Sequence, residues 1–180
     1  DCLLSRGLGD VYKRQLQAGA SFLHRKRCRT ALCFERREVF PMAECFYCEK
    51  DNEKRKALML DVCELPYSIV YLFRDQKNKG RCVVAFKGHK TEYFQLTPEE
   101  NAGYFADVAK VAKVLDELYH PDKINYATYG DGMPHVHVHI VPKYKGGVSW
   151  GQPFSDSLPK VLLTDAEYDA MIADLRAKLL

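Results

Sequence analysis

The chain has 180 residues, enough for one domain with a real core and marginal for two. Hydrophobic residues make up 47% and charged residues 28%, which is ordinary for a soluble globular protein. No run approaches the ~20 apolar residues that a membrane-spanning helix needs, and no basic start followed by an apolar stretch and a small-residue cleavage site marks a secretory signal. The net charge of +3 demands no nucleic-acid partner.

The charge is unevenly distributed. The first 41 residues carry nine Lys/Arg against four Asp/Glu, whereas the remainder is slightly acidic. A basic arm for nucleic acid is one reading of this segment. A non-native flank is the preferred one, because the segment lacks a clear amphipathic period, Asp1–Gln15 resembles vector- or adapter-derived sequence, and Met42 sits like a natural start. Residues 1–41 are therefore set apart, and 42–180 are expected to form the domain. Seven cysteines without a signal peptide point to reduced thiols or metal ligands rather than a disulfide framework, and a cytoplasmic protein is expected.

In chain order, Cys45-Phe46-Tyr47-Cys48 opens the domain, followed by a charged turn and an apolar run over Ala57–Leu65 that Pro66 interrupts. Ser68–Arg74 and Arg81–Lys87 read as strands joined through the turn cluster Asp75–Gly80, a hairpin. Thr97-Pro98-Glu99-Glu100 combines an N-cap, a proline at the first helical position and a capping box. Apolar residues from Tyr104 to Leu118 then recur at helical spacing until Pro121. Lys123–Tyr129 and His135–Lys143 read as two further strands around Gly130-Asp131-Gly132, and the capping box Thr164–Glu167 opens a C-terminal helix to about Lys178. Strands before and after one central helix predict an α+β domain with a mainly antiparallel sheet.

The sharpest signal is Pro134-His135-Val136-His137-Val138-His139-Ile140-Val141. A strand alternates its side chains, so the three histidines share one face and Val136, Val138 and Ile140 the buried other. A neutral imidazole is a nucleophile, and a protonated one donates to phosphate oxygens or a leaving group, so such a row can combine both roles. His-x-His on a strand is also a good zinc pair, and a metal-dependent hydrolase with His89 or Asp131 as third ligand is the competing reading. Cys45-x-x-Cys48 has the spacing of half a zinc site, but a redox pair or two buried thiols fit it equally.

From about Cys45 to Trp150 the sequence resembles the histidine triad family, whose signature alternates three histidines with apolar residues and ends in two apolar residues. The resemblance implies a histidine triad fold and a nucleotide hydrolase or nucleotidyl transferase. Its substrates would be nucleoside phosphoramidates, dinucleoside polyphosphates or similar conjugates. His137 would attack the α-phosphorus, with its tautomer fixed by backbone carbonyls or neighbouring imidazoles. His139 would hydrogen-bond the phosphoryl oxygens. Tyr71 and Phe73 would lie near the base, Asp75 would contact the ribose, and the backbone N–H groups of Gly132 and Met133 would stand in for leaving-group contacts. A structural zinc ion would be held by Cys45, Cys48, His89 and His135. Arg81–His89 resembles the matching stretch of galactose-1-phosphate uridylyltransferases. That branch carries Gln at the third triad position, so His139 favours hydrolysis. A homodimer is implied, with no membrane or nucleic-acid partner.

Two departures from the family pattern stand out. Gly80-Arg81 occupies the place where many members have Gly-His. The short Gly130–Pro134 turn replaces the Gln and the Ser or Thr that often precede the triad. A nucleotide- or zinc-binding regulatory module with little turnover is the alternative to an enzyme. A chain shortened to begin at Met42 is expected to keep its melting temperature and activity; a marked loss of either on thermal denaturation or turnover assay would show that the first 41 residues belong to the fold.

Overall fold

The computed structural model describes residues 45–155 and 158–180, so the expectation for residues 1–41 lies outside the described residues. The elements run α1 (Glu53–Leu58), β1 (Met59–Glu64), β2 (Ser68–Phe73), β3 (Cys82–Phe86), a 3₁₀ turn at Tyr93–Gln95, α2 (Pro98–Tyr119), β4 (Lys123–Ala127), β5 (His137–Lys143) and α3 (Asp165–Leu179). The strands form one antiparallel sheet in the order β1-β2-β3-β5-β4. This is the α+β architecture that the sequence predicts, with α2 as the central helix and α3 at the C-terminal end.

Both predicted capping boxes form. Thr97 accepts from the Glu100 N–H and the Glu100 carboxylate accepts from the Thr97 N–H, with Pro98 at the first helical position. Thr164 and Glu167 make the same exchange at the start of α3. Each closes orphan N–H groups of a first turn, worth about 1 kcal/mol for the cap alone. α2 ends at His120, which takes the left-handed conformation (φ 46°) immediately before Pro121.

Two layers of side chains sandwich the sheet. On one face Val70, Leu72, Val84, Val138 and Ile140 meet Val108, Val111 and Leu115 of α2 and Leu175 of α3. On the other, Tyr71, Phe73, Val83 and Ala85 meet Cys45, Tyr47 and Met59. The central strands are thus buried on both sides, which is why β2 and β3 read as near-continuous apolar runs; β5 is buried as deeply, but carries His137 and His139 on its second face. The apolar run over Ala57–Leu65 resolves into the end of α1 and an edge strand that sequence reasoning left unassigned. A register shift between Asp61 and Cys63 gives β1 a burial repeat of three, with Met59 and Val62 inward, and so masks the alternation of a strand.

Two polar side chains of α2, through three hydrogen bonds, lock it to the sheet. The Asp107 carboxylate, buried, accepts from the Tyr67 N–H at 2.9 Å and the Ser68 hydroxyl at 2.8 Å. The Tyr104 hydroxyl donates to the Val84 carbonyl at 2.8 Å. Hydrogen bonds to a charged acceptor are worth ~1.5–3 kcal/mol, and orphaning the buried donors adds a desolvation cost. Asp107→Ala is accordingly expected to destabilise the fold by about 3 kcal/mol, read as a lowered midpoint in urea unfolding with an unchanged slope.

Candidate active site and metal cluster

His137 and His139 lie in β5, with His135 on its approach. The pairing of β5 with β3 sets their height in the sheet, with His137 opposite Ala85 and His139 opposite Val83. Val136, Val138 and Ile140 enter the helix-facing core, leaving the histidines on the other face. The sequence reads only the valine–isoleucine face as buried, but the histidine face is covered too. The Cys45–Cys48 turn folds back over it, and the Tyr47 ring lies 5.0 Å from the rings of both His135 and His137. The three histidines are 2%, 1% and 8% exposed in chain order.

Burial on this scale requires partners for the ring nitrogens, and the partners define the proton positions. His137 Nδ1 lies 2.7 Å from the His135 carbonyl oxygen. A carbonyl only accepts, so Nδ1 carries the hydrogen and Nε2 keeps its lone pair. Burial lowers the His137 pKa, which holds the ring neutral at physiological pH. His135 is arranged in the opposite sense: Nε2 is 2.8 Å from the Phe86 carbonyl, so Nε2 donates and Nδ1 presents the lone pair. Burial pushes the His135 pKa down to about 4.

That Nδ1 points at sulfur. It lies 3.3 Å from Cys45 Sγ and 3.7 Å from Cys48 Sγ, while His89 Nδ1 is 3.3 Å from Cys48 Sγ. The four ligand atoms of Cys45, Cys48, His89 and His135 all lie within 4.8 Å of one another. Taking zinc as a yardstick, metal–sulfur bonds of about 2.3 Å and metal–nitrogen bonds of about 2.0–2.1 Å place tetrahedral S and N ligands ~3.5 Å apart. The donor set therefore fits a tetrahedral metal ion, with the Phe86 carbonyl orienting one ligand from behind. Burial pushes the Cys48 thiol up to about 12, with the hydrogen bond and charge of Cys45 adding to it, so metal binding has to displace a tightly held proton.

The residues expected around a nucleotide divide. Tyr71 and Phe73 project from β2 onto the histidine face, and Phe73 lies 6.0 Å from His139. Met133 packs against the same cluster, and Gly132 sits in the exposed bend just before it. Asp75 is engaged elsewhere: it is buried, 3.0 Å from Lys77 Nζ, and accepts from the Val161 N–H at 3.0 Å. Burial opposes its ionisation, but these partners outweigh it and hold its pKa below the usual carboxylate range. Sequence reasoning did not assign Arg81 a role, yet it is 1% exposed beside His139. Tyr129 and Phe154 also flank His139, and both border an open groove of about 610 Å³ with Lys123, Asn125 and Trp150. No local pattern in the sequence announces either Arg81 or Phe154.

A five-stranded antiparallel sheet with its histidine row beside a thiol–imidazole cluster defines an α+β protein of the histidine triad class. The HIT domain model matches residues 59–146, and over these residues the chain is similar to HIT family proteins. An uncharacterised HIT-like protein of Methanocaldococcus jannaschii is 28% identical over 125 residues, covering 66% of this chain and 95% of that one. The asymmetrical bis(5'-nucleosyl)-tetraphosphatase of Schizosaccharomyces pombe is 36% identical over 59 residues, 30% of this chain and 32% of that one. Among solved structures, a histidine triad protein of Bradyrhizobium japonicum superposes with a TM-score of 0.66 at 24% identity, covering 71% of this chain and 96% of that one. A zinc-bound histidine triad family protein of Mycobacterium smegmatis gives 0.54 at 23% identity, covering 77% and 95%. These two likenesses speak to the fold. Among the described residues, no helix is long and apolar enough to cross a membrane.

If the thiol–imidazole cluster holds a metal, elemental analysis of protein purified without chelator should return about one ion per chain. Cys48→Ala should then release it and cost at least ~2 kcal/mol, roughly 4–8 °C in Tm for a chain of this size. Absence of metal together with an unchanged melting curve would leave the cysteines as ordinary thiols.

Proposed function

We propose that this protein hydrolyses nucleotide conjugates, such as nucleoside phosphoramidates or dinucleoside polyphosphates, through a nucleotidyl intermediate on His137. The observation that carries the reading is the 2.7 Å contact from His137 Nδ1 to the His135 carbonyl, which leaves the Nε2 lone pair of a neutral ring available for attack. In the first step Nε2 forms a bond to the α-phosphorus and the bond to the leaving group breaks. The leaving group departs with the electron pair and takes up a proton. In the second step water adds to phosphorus, the phosphorus–nitrogen bond breaks, and His137 regains its neutral form as nucleoside monophosphate is released. Two displacements replace one difficult step, and the imidazole begins in the required tautomer without rearrangement.

His139 supplies a donor to the phosphoryl oxygens, and its identity as histidine, where the transferase branch carries Gln, supports water as the acceptor. Phe73 and Tyr71 line the nucleoside side. Gly132 and Met133 offer backbone N–H groups toward the leaving group, with the groove beside Tyr129 and Phe154 as room for it. The engagement of Asp75 with Lys77 and Val161 weighs against a direct ribose contact unless that carboxylate changes partners on binding. The cluster of Cys45, Cys48, His89 and His135 suits zinc, two thiolates with two imidazoles in a closed shell. Bound there, zinc would tie the N-terminal turn to the triad strand and take no part in the chemistry. A homodimer suits the exposed β4 edge, beside which Phe105 and Tyr126 border an apolar groove.

Label from an α-phosphate-labelled substrate quenched in mid-turnover should remain on the protein, stable to alkali and labile to acid, as a phosphorus–nitrogen bond requires. His137→Ala should abolish both label and turnover. His139→Ala should slow turnover by roughly 10²–10³, the usual cost of one donor to developing charge. Robust turnover with no trapped label, stopped by chelation and rescued by zinc, would make His137 a metal ligand and overturn the proposal.

A further inference from the structure

Arg81 immediately precedes β3 and is 1% exposed, an unusual depth for a guanidinium. Its Nη2 lies 3.3 Å from His139 Nδ1. Its Cζ sits 3.9 Å from the centre of the Phe73 ring and 4.3 Å from that of Phe154. Phe154 is brought there by the loop after β5, which Lys143 pins by donating to the Ser149 and Gln152 carbonyls, each at 2.6 Å. The planar cation is thus gripped between two aromatic rings, a geometry that suits arginine and that a lysine ammonium reproduces poorly.

A guanidinium has five donors and no acceptor. In its contact with His139 the arginine must donate, and Nδ1 must accept. A doubly protonated ring would set N–H against N–H at that point, and the Nδ1–H tautomer would do the same. The proton of His139 therefore belongs on Nε2. His137, 5.4 Å away by ring centres, is fixed in the opposite form, with its proton on Nδ1. Adjacent members of the row are held in complementary tautomers, one offering a lone pair at Nε2 and the other an N–H.

We propose that Arg81 is a positioning residue, which holds His139 in its Nε2–H form so that it donates to the phosphoryl group attacked by His137. The proposal rests on the nucleotidyl-histidine reading for its catalytic consequence, but the tautomer it assigns belongs to the free protein. Arg81 acts through His139, and Phe73 and Phe154 act through Arg81.

Nitrogen-15 NMR of histidine-labelled full-length protein tests it, because protonated and unprotonated ring nitrogens have well-separated shifts. In the wild type, His139 should show a protonated Nε2 and a bare Nδ1, and His137 the reverse. Arg81→Met keeps a long apolar side chain but removes the donor. It should release His139 into a tautomer mixture, leave the His137 pattern unchanged, and lower kcat about 10²-fold with KM changed less than about threefold. Arg81→Lys, still a donor without an acceptor, should recover part of both the tautomer and the rate. A wild-type His139 protonated on Nδ1 would overturn the proposal. So would an Arg81→Met protein with an unaltered His139 tautomer or an unaltered kcat. Should Arg81→Met fail to fold, the wild-type spectrum still decides. If the tautomers are as assigned but no nucleotide is turned over, the proposed function fails while the Arg81–His139 linkage stands.

Discussion

The peptide unit of His135 is the joint on which the site depends. Its carbonyl takes the Nδ1 hydrogen of His137, and its side chain turns the other way, into the thiol–imidazole cluster, with Nε2 held by the Phe86 carbonyl. A single residue therefore couples the metal-binding geometry to the tautomer of the proposed nucleophile. The coupling is local and rigid, because all three histidines are buried and each buried ring nitrogen that lost its partner would carry a desolvation cost of ~1–3 kcal/mol.

From this joint the surrounding structure follows. The strand must be central to the sheet for Phe86 and His135 to meet, and β5 sits between β3 and β4. A central strand must be apolar on its second face, which Val136, Val138 and Ile140 provide against α2 and α3. The helix must in turn be held against the sheet, and the Asp107 contacts to Tyr67 and Ser68 do so at the turn that leads into β2. The N-terminal turn closes the other side, where Tyr47 lies against two of the three imidazoles. The row of histidines is thereby removed from bulk water, and its third member packs beside Tyr129 and Phe154, which line the groove. Such a setting strengthens each charge–dipole contact relative to water and favours neutral imidazoles.

Arg81 shows how a cation can be built into a core between aromatic faces. Arg81 is enclosed by aromatic faces rather than left against aliphatic ones, and the ring quadrupoles face the cation. Nothing about Arg81 in isolation marks it as more than a strand-end charge. Its neighbours come from β2, from β5 and from the loop after β5, three separate stretches of chain.

The sequence by itself determined what depends on short-range periodicity and stereochemistry. The alternation of His135 to Val141 placed three imidazoles on one face because a strand repeats every two residues, and both capping boxes were legible because a cap spans four residues. The Cys45-x-x-Cys48 spacing announced a pair of thiols without saying what they faced. The family resemblance named His89 and His135 as their partners, and the structure brings the four together. The tertiary structure alone decided that the turn carrying the thiols covers the histidine face, that Asp75 is drawn to Lys77 and Val161, and that β1 exists behind its register shift. Each of these joins segments separated along the chain or replaces a regular repeat by an irregular one. A linear pattern encodes direction along one element, whereas contacts between elements follow from how the layers close to bury apolar surface and pair most of the polar groups they enclose.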